Sequence, residues 1–361
     1  MGGDRRAHET GGPRVAFGEA PLLAVSRIEV KPKPGDPALP ETPAATVVET
    51  YRFTPADLAV ATRRPGISAF MRIRNGAYAL EAAVRSHIEH FDEIVAVHNR
   101  STDETPEILA RLAGEYGPRL RVFHYLPEVF PPGSDGHKAT PADAPQSLVN
   151  YYNFALSRTR FSHTTKLDDD HVAMGAATAR LVADVRAGRA AQNEMACFSG
   201  LNLARGANGQ IGIVAHEPFA GNGDHWIFPV RPDTYFVKDR RFEVLRSQLR
   251  RKFHSFTYWH LKYLKPDLGF ANYDLAANPH SRYARRLARL ERGIALTDLE
   301  TMARHAGEDR RWLDVIARWG LPVPSRDRVI AERNKAARAF MDEDLETLLA
   351  QDPQMGRFAQ I

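Results

Sequence analysis

The chain has 361 residues, 43% hydrophobic and 26% charged, with 49 Lys and Arg against 44 Asp and Glu. That suffices for one large domain with extensions or for two domains. The small basic excess, with no dense Lys/Arg run interleaved with aromatics in the central part of the chain, argues against a nucleic-acid partner. The single cysteine, Cys197 in MACFSG, excludes a disulfide framework within the chain, and a reducing cytoplasm is the simplest compartment. No apolar stretch approaches the roughly 20 residues of a membrane span, and MGGDRRAHETGGPRV at the start has no apolar signal core. A soluble protein is expected, free to sit on a membrane surface.

Residues 1 to about 45 are rich in Gly, Pro and charge (KPKPGDPALPETP), which disfavours a packed core. They are read as a partly disordered N-terminal arm extending to residue 62. From Ile67 the pattern changes: GISAFMRI is strand-like, AYALEAAVRSHIEHF carries apolar residues at helical spacing, and EIVAVH is a second short apolar run. TPEILARLAGEY is helical with Pro106 near its start, RLRVFHY is strand-like, and the loop PEVFPPGSDGHKATPADAP leads into the helical SLVNYYNFALSRT and then FSHTTKL. After Met174 come a helix (AATARLVADVRAG), a strand (MACFSGLNLA), a loop region with AHEPFAGNGDHWIF, and FHSFTYWHLKYLK, dense in aromatics and histidines. From about residue 281 the chain reads as helical and basic, through SRYARRLARLERG, LTDLETMARHAG, RRWLDVIARWG and AERNKAARAFMDEDLETLLA. The expected division is an arm over 1–62, a main domain over 63–280 and a C-terminal helical region over 281–361.

Short strands alternating with helices of about 10 to 15 residues predict an α/β fold, a mostly parallel sheet covered by helices. In such sheets ligands bind outside the carboxyl ends of the strands. Both distinctive polar runs fall there: HNRSTDET after EIVAV, and Asp168, Asp169, Asp170 and His171 after FSHTTKL. An acidic triplet standing alone is usually a solvated turn or helix start. At the end of a buried strand its repulsion calls for a compensator, a cation or a hydrogen-bonding ligand.

In order and spacing, GISAFMRIRN, EIVAVHNRSTDET and SLVNYYNFALSRTRFSHTTKLDDD resemble the nucleotide-binding half of GT-A-fold glycosyltransferases of the family 2 type, over about residues 65 to 175. The resemblance implies that the first strand and the loop after the second hold the base and ribose of a nucleotide sugar, which puts Arg72, Asn75 and Asn99 against the donor. His98 and Arg100 depart from the family's usual acid and Gly. STDET also reads as a helix N-cap, with Ser101 to Asp103 mostly capping. The aspartates resemble the Asp-x-Asp motif, which implies Asp170 as a ligand of Mn²⁺ or Mg²⁺, Asp168 as a donor or metal contact, and a cation shared by the two. Asp169 is expected on the other side, since neighbouring strand residues alternate. Lys166 either pairs with an acid or helps place the diphosphate. Asn153 either faces the nucleotide or makes a routine helix hydrogen bond.

The resemblance further implies an inverting transferase, which needs a carboxylate to take the acceptor hydroxyl's proton. Asp224 in GNGDHWIF is the first choice, because Gly221 and Gly223 let backbone approach a ligand, and Glu217 in AHEPF is the reserve. A late histidine often joins the metal in such enzymes. His260, His254 and His171 compete for that one role, with His260 leading, although a histidine in an aromatic helix is more often a satisfied core group. Arg285, Arg286, Arg289 and Arg292 read as a solvated helix face or as a contact with an anionic membrane surface, where lipid-linked acceptors reside. The expected partners are a nucleotide-sugar donor, UDP favoured, and a glycan or lipid-linked acceptor. Two other readings compete. A sugar nucleotidyltransferase needs a Gly-rich basic loop after the first strand, which MRIRNGAYALEAA lacks, and would release pyrophosphate. A non-catalytic glycan or nucleotide binder would keep its ligand without metal and show no turnover.

Overall fold

A computed structural model of the chain describes residues 45–359 apart from 191–192, 222, 224, 240–241, 277, 309–315, 317–318 and 320–323. Most of the expected N-terminal arm, Asp224 and most of the RRWLDVIARWG segment therefore lie outside the described residues. The expected alternation is present. Strands β1 (Thr46–Val48), β2 (Arg64–Ile73), β3 (Glu93–His98), β4 (Leu120–Tyr125) and β5 (Phe161–Leu167) lie in the order β1-β4-β3-β2-β5, every pair parallel. Between them run α1 (Leu80–Ile88), α2 (Thr105–Tyr116), a short α3 (Asp135–Ala139) within the Pro/Gly-rich loop, and α4 (Leu148–Ser157).

The two-residue period of a strand decides which face each side chain serves. Ala69, Met71 and Ile73 of β2 join Ile94 and Ala96 of β3 in a core with Leu80, Val84 and Ile88 of α1 and Leu109 and Leu112 of α2. Phe70, Val95 and Val97 enter the opposite core with Tyr151, Phe154 and Ala155 of α4. All six residues of β3 are buried, as a strand covered on both faces requires. Cutting Phe154 back to Ala would cost about 3–5 kcal/mol by this packing.

Beyond β5 the sheet becomes mixed. After β6 (His171–Ala173) and α5 (Gly175–Arg186) come β7 (Glu194–Arg205), β8 (Ile211–Val214), β9 (Phe219–Ala220), β10 (Trp226–Pro229), the separate antiparallel pair β11 (Tyr235–Asp239) and β12 (Phe242–Arg246), and β13 (Arg250–Tyr263). Strand β10 lies antiparallel between β5 and β7, β13 runs parallel to β7, and β6 pairs antiparallel with β13. The aromatic segment FHSFTYWHLKYLK thus forms strand and not helix. Its Phe256–Trp259 stretch is buried without a break, so no exposed alternate residues reveal the period.

The C-terminal part holds α6 (Arg282–Leu290), β14 (Leu296–Thr297), α7 (Leu299–Glu308), α8 (Ser325–Ala336), α9 (Leu345–Ala350) and α10 (Gly356–Ala359). It is tied to the sheet by polar contacts. Phe253 N donates to Glu332 Oε2 at 2.9 Å, Arg333 Nη1 to Gly221 O at 2.9 Å, and Trp259 Nε1 to Asp352 Oδ2 at 2.6 Å. No helix among the described residues is long and apolar enough to cross a membrane.

Candidate functional site

Strand directions bring distant parts of the chain to one edge. The carboxyl ends of β2, β3 and β5 lie side by side because the three are parallel neighbours. The antiparallel β10 starts at that edge, which brings His225 to the end of β5. In β13, His260 pairs with Asn202 of β7 on one side and with His171 of β6 on the other. The three aspartates form the turn between β5 and β6, closed by His171 N donating to Asp168 O at 3.2 Å.

Among the described residues two groups of ligand-type atoms result, Asp168–His171–His225 and Asp170–His171–His260, each gathered within 4.8 Å. Asp168 and Asp170, expected from the sequence to share one cation, fall into different groups joined by His171. His260 Nδ1 lies 2.6 Å from Asn202 Oδ1. That bond assigns the proton to Nδ1 and leaves Nε2 with a lone pair beside Asp170 Oδ1, 3.4 Å away, so two acceptor atoms face one another. His171 Nε2 stands 3.7 Å and His225 Nε2 3.6 Å from Asp168 Oδ2. These spacings exceed good hydrogen-bond lengths. Two ligands each about 2.1 Å from one ion stand roughly 3.0–3.4 Å apart, so the Asp170–His260 pair fits a bound cation.

The packing that holds His171 is specific. Its ring stacks on Tyr258 with centroids 3.8 Å apart, and its Nδ1 is buried with no hydrogen-bond partner. Tyr258 in turn lies against Gly200, where a Cβ would sit 2.3 Å from the ring and 2.5 Å from the Tyr258 carbonyl oxygen. Burial drives His171 well below its ordinary pKa, so at neutral pH the imidazole is uncharged and able to offer a lone pair.

The carboxylates are compensated by side chains. Lys166 Nζ donates to Asp168 Oδ2 at 3.1 Å and Arg72 Nη2 lies 3.9 Å from Asp168 Oδ1, while Lys265 Nζ sits 2.9 Å from Asp170 Oδ2 and 3.3 Å from Asp169 Oδ2. The repulsion, expected from the sequence to call for a cation or ligand, is offset here by two ammonium groups and a guanidinium. Asp169 does not face away from Asp170, because the run turns and does not continue as strand. Burial pushes all three carboxyls up. At Asp168, Lys166 and His225 outweigh burial and hold the group well below the usual carboxylate range, and at Asp170 the Lys265 ammonium is the first cause that does so. Asp169, with burial and both neighbouring carboxylates against it and Lys265 opposing them, is pushed up to about 6. A Cβ on Gly76 would lie 2.6 Å from Asp169 Oδ2; the loop after β2 closes on this turn only because that residue is Gly.

On the expected donor side, the Arg72 guanidinium lies 3.2 Å from the ring centre of Tyr152, which packs on Phe236. Asn75 adopts φ +53°, and its Oδ1 accepts from Thr102 N at 2.8 Å. Asp103 accepts from Thr105 N at 3.1 Å and from Ala77 N at 2.9 Å, while Ser101 Oγ accepts from Asn75 N at 3.1 Å. The N-cap residue of α2 is Glu104 and makes no side-chain cap bond, so STDET is mainly a clamp on the loop after β2 and not the cap that the sequence suggested. Two expected donor contacts are spent elsewhere. Asn99 is 1% exposed; it donates to Tyr125 O at 2.6 Å and Pro127 O at 2.8 Å and accepts from Val129 N at 3.4 Å. Asn153 donates to Phe236 O at 2.9 Å and accepts from Phe236 N at 2.8 Å, the routine structural use. Neither has its amide free for a nucleotide in this arrangement, because each completes backbone groups that the sheet leaves unpaired.

On the far side, Glu217 is ion-paired with Arg286 and accepts from Tyr263 OH at 3.2 Å. Its carboxylate is occupied, and Arg286 leaves the solvated face on which the sequence put it, whereas Arg285, Arg289 and Arg292 are exposed. His254 lies 3.1 Å from Glu194 and belongs to neither ligand group. Asp224 is outside the described residues, between Gly223 and the His225 that faces Asp168. Sequence reasoning missed His225, although it adjoins Asp224 in the Gly-flanked run, and missed Lys265, for which no local signal exists.

No family model and no curated protein matches the chain. Among solved structures it is similar to residues 1–349 of Staphylococcus aureus TarS, at 12% identity and a TM-score of 0.30, over 76% of this chain and 91% of that one. It is also similar to glucosyl-3-phosphoglycerate synthase from Mycobacterium tuberculosis, crystallised with Mn²⁺, UDP and phosphoglyceric acid. There the identity is 17% and the TM-score 0.24, over 46% of this chain and 53% of that one. The chain spans about half the length of the mycobacterial protein. At such TM-scores these likenesses carry no weight in the function proposed below.

Proposed function

We propose that this chain is a GT-A-type glycosyltransferase, moving a sugar from a nucleotide-diphosphate donor to a hydroxyl of a glycan or lipid-linked acceptor with inversion, and using a divalent cation. One observation carries the reading: Asp170, His171 and His260 converge, nitrogen and oxygen atoms together, at the carboxyl edge of a parallel sheet, where ligands of such sheets bind. A cation there would be held by Asp170 and His260, with His171 in reach. The mixed nitrogen and oxygen ligands favour Mn²⁺ over Mg²⁺, which prefers oxygen alone. When bound, the ion would neutralise the diphosphate and make it a competent leaving group.

The protein's own groups do the rest. Asn202 holds the His260 tautomer. Arg72, lying on Tyr152 and reaching toward Asp168, supplies a fixed positive charge for the donor, and Lys166 supplies another, tethered to Asp168. The clamp of Asn75 by Thr102 sets the loop that would border the nucleoside. Asp224 is the proposed base, because Glu217 is engaged by Arg286. Residues 63–280 are proposed as the catalytic part, with 281–361 leaning on it through Arg286, Arg333 and Asp352. The exposed Arg285, Arg289 and Arg292 are available for peripheral contact with an anionic membrane on the cytoplasmic side.

The test is slow hydrolysis of nucleotide-sugar donors, UDP-sugars first. Turnover is expected only with Mn²⁺ or Mg²⁺, and Asp170→Ala is expected to lower it by at least about a hundredfold. Equal turnover by D170A without metal would sink the assignment.

A further inference from the structure

Lys265 sits where a cation is wanted. Its ammonium lies 2.9 Å from Asp170 and 3.3 Å from Asp169, and all three side chains are largely buried, at 10–16% exposure. Water therefore does little to screen charge between them. The Asp170 carboxylate has one oxygen toward Lys265 and the other 3.4 Å from His260 Nε2. A dication between Asp170 and His260 would stand a few ångströms from the ammonium, and two cations so close in a buried site repel strongly.

We propose that Lys265 is the resident counter-ion of the Asp169–Asp170 pair and that a divalent cation binds Asp170 only by displacing it. The inference rests on the metal-and-donor reading above. The residue is suited to such a move. It lies past the end of β13, in a turn where Lys265 N donates to Lys262 O at 3.3 Å and Leu268 N to Lys265 O at 2.9 Å. Its four-carbon stem is flexible, so the ammonium can swing without moving a strand. The exchange improves the local charge balance: two carboxylates with one ammonium leave a net charge of −1, and two carboxylates with a dication leave none. The displaced ammonium then has no carboxylate of its own beside the site where a diphosphate would lie, and this couples metal binding to capture of the donor.

Mn²⁺ binding measured by the electron paramagnetic resonance of free Mn²⁺, with no nucleotide present, tests the displacement. Lys265→Met should bind Mn²⁺ at least about tenfold more tightly than the parent, while K265R, which keeps the charge, should stay near the parent value. UDP added to Mn²⁺-saturated protein should bind K265M several-fold more weakly than the parent, since the freed ammonium is missing. Thermal unfolding checks that each variant is folded, and K265Q serves if K265M is not. Equal or weaker Mn²⁺ binding by a folded K265M or K265Q overturns the displacement alone. Mn²⁺ binding by neither parent nor variant overturns the metal reading and the displacement with it.

Discussion

Two polar runs end neighbouring strands at the same sheet edge, and they are built in opposite ways. In HNRSTDET the side chains turn inward on the backbone: Asn99 reaches Tyr125 and Pro127 carbonyls at 2.6 and 2.8 Å, and Asp103 holds Thr105 and Ala77 N–H groups at 3.1 and 2.9 Å. In DDDH the carboxylates and the histidines around them stand 3.4–3.7 Å apart, too far for good hydrogen bonds between them. The first run has consumed its polarity in making an edge. The second has kept ligand atoms facing one another across a gap, held there by aromatic stacking and buried cations.

The comparison breaks if the second run also proves merely structural. His260→Ala, which removes the nitrogen facing Asp170, should weaken Mn²⁺ binding and Mn²⁺-dependent turnover by at least about a hundredfold, with a stability cost of about 1–3 kcal/mol from the stranded Asn202 Oδ1; that stability loss with metal affinity intact would reverse the assignment. Asn99 of the first run, and Asn153 of α4 with it, are expected to answer the other way. Asn99→Ala strands buried backbone carbonyls, and Asn153→Ala strands the N–H and C=O of Phe236. Each should cost about 2–4 kcal/mol in denaturant unfolding, while UDP affinity of the folded protein stays within about twofold, as calorimetry can verify.

A smaller effect sharpens the contrast through pH. Burial, with His124 stacked at 4.3 Å as a second cause, lowers His98 to about 4. A base whose folded pKa is depressed takes up its proton more readily when unfolded, so its contribution to stability is present above about pH 6.5 and is lost as pH falls toward 4. After allowance for screening this amounts to roughly 1–2 kcal/mol. His98→Asn should flatten the stability profile by that amount over this window, and an unchanged profile would count against a structural His98.

Much of this was legible locally. The alternation of β2, α1, β3, α2 and β4 follows from periods of two and of about 3.6 residues, and an acidic run just after FSHTTKL falls at a strand's carboxyl end wherever that strand is parallel to its neighbours. What was not legible depends on partners far along the chain. Asn153 is claimed by Phe236, Asn99 by the backbone after β4, and Asp169 and Asp170 by Lys265; nothing near those residues announces the claimants. The segment from Phe253 looked helical because both faces of β13 are buried around Phe256–Trp259, which erases the alternation that identifies a half-exposed strand. Compensation by Lys166, two residues before the run, was legible; compensation by Lys265 was not, since Lys265 comes to the aspartates only through the pairing of β13 with β6.

The central claim, that the end of β5 holds a cation-assisted diphosphate site, is tested most directly by titrating UDP into the protein calorimetrically with and without Mn²⁺, in the parent and in D170A. The account predicts at least about tenfold tighter UDP binding with Mn²⁺ in the parent, equivalent to about 1.4 kcal/mol, and no such gain in D170A. Equal UDP affinity with and without Mn²⁺, or the same gain in both proteins, would contradict it.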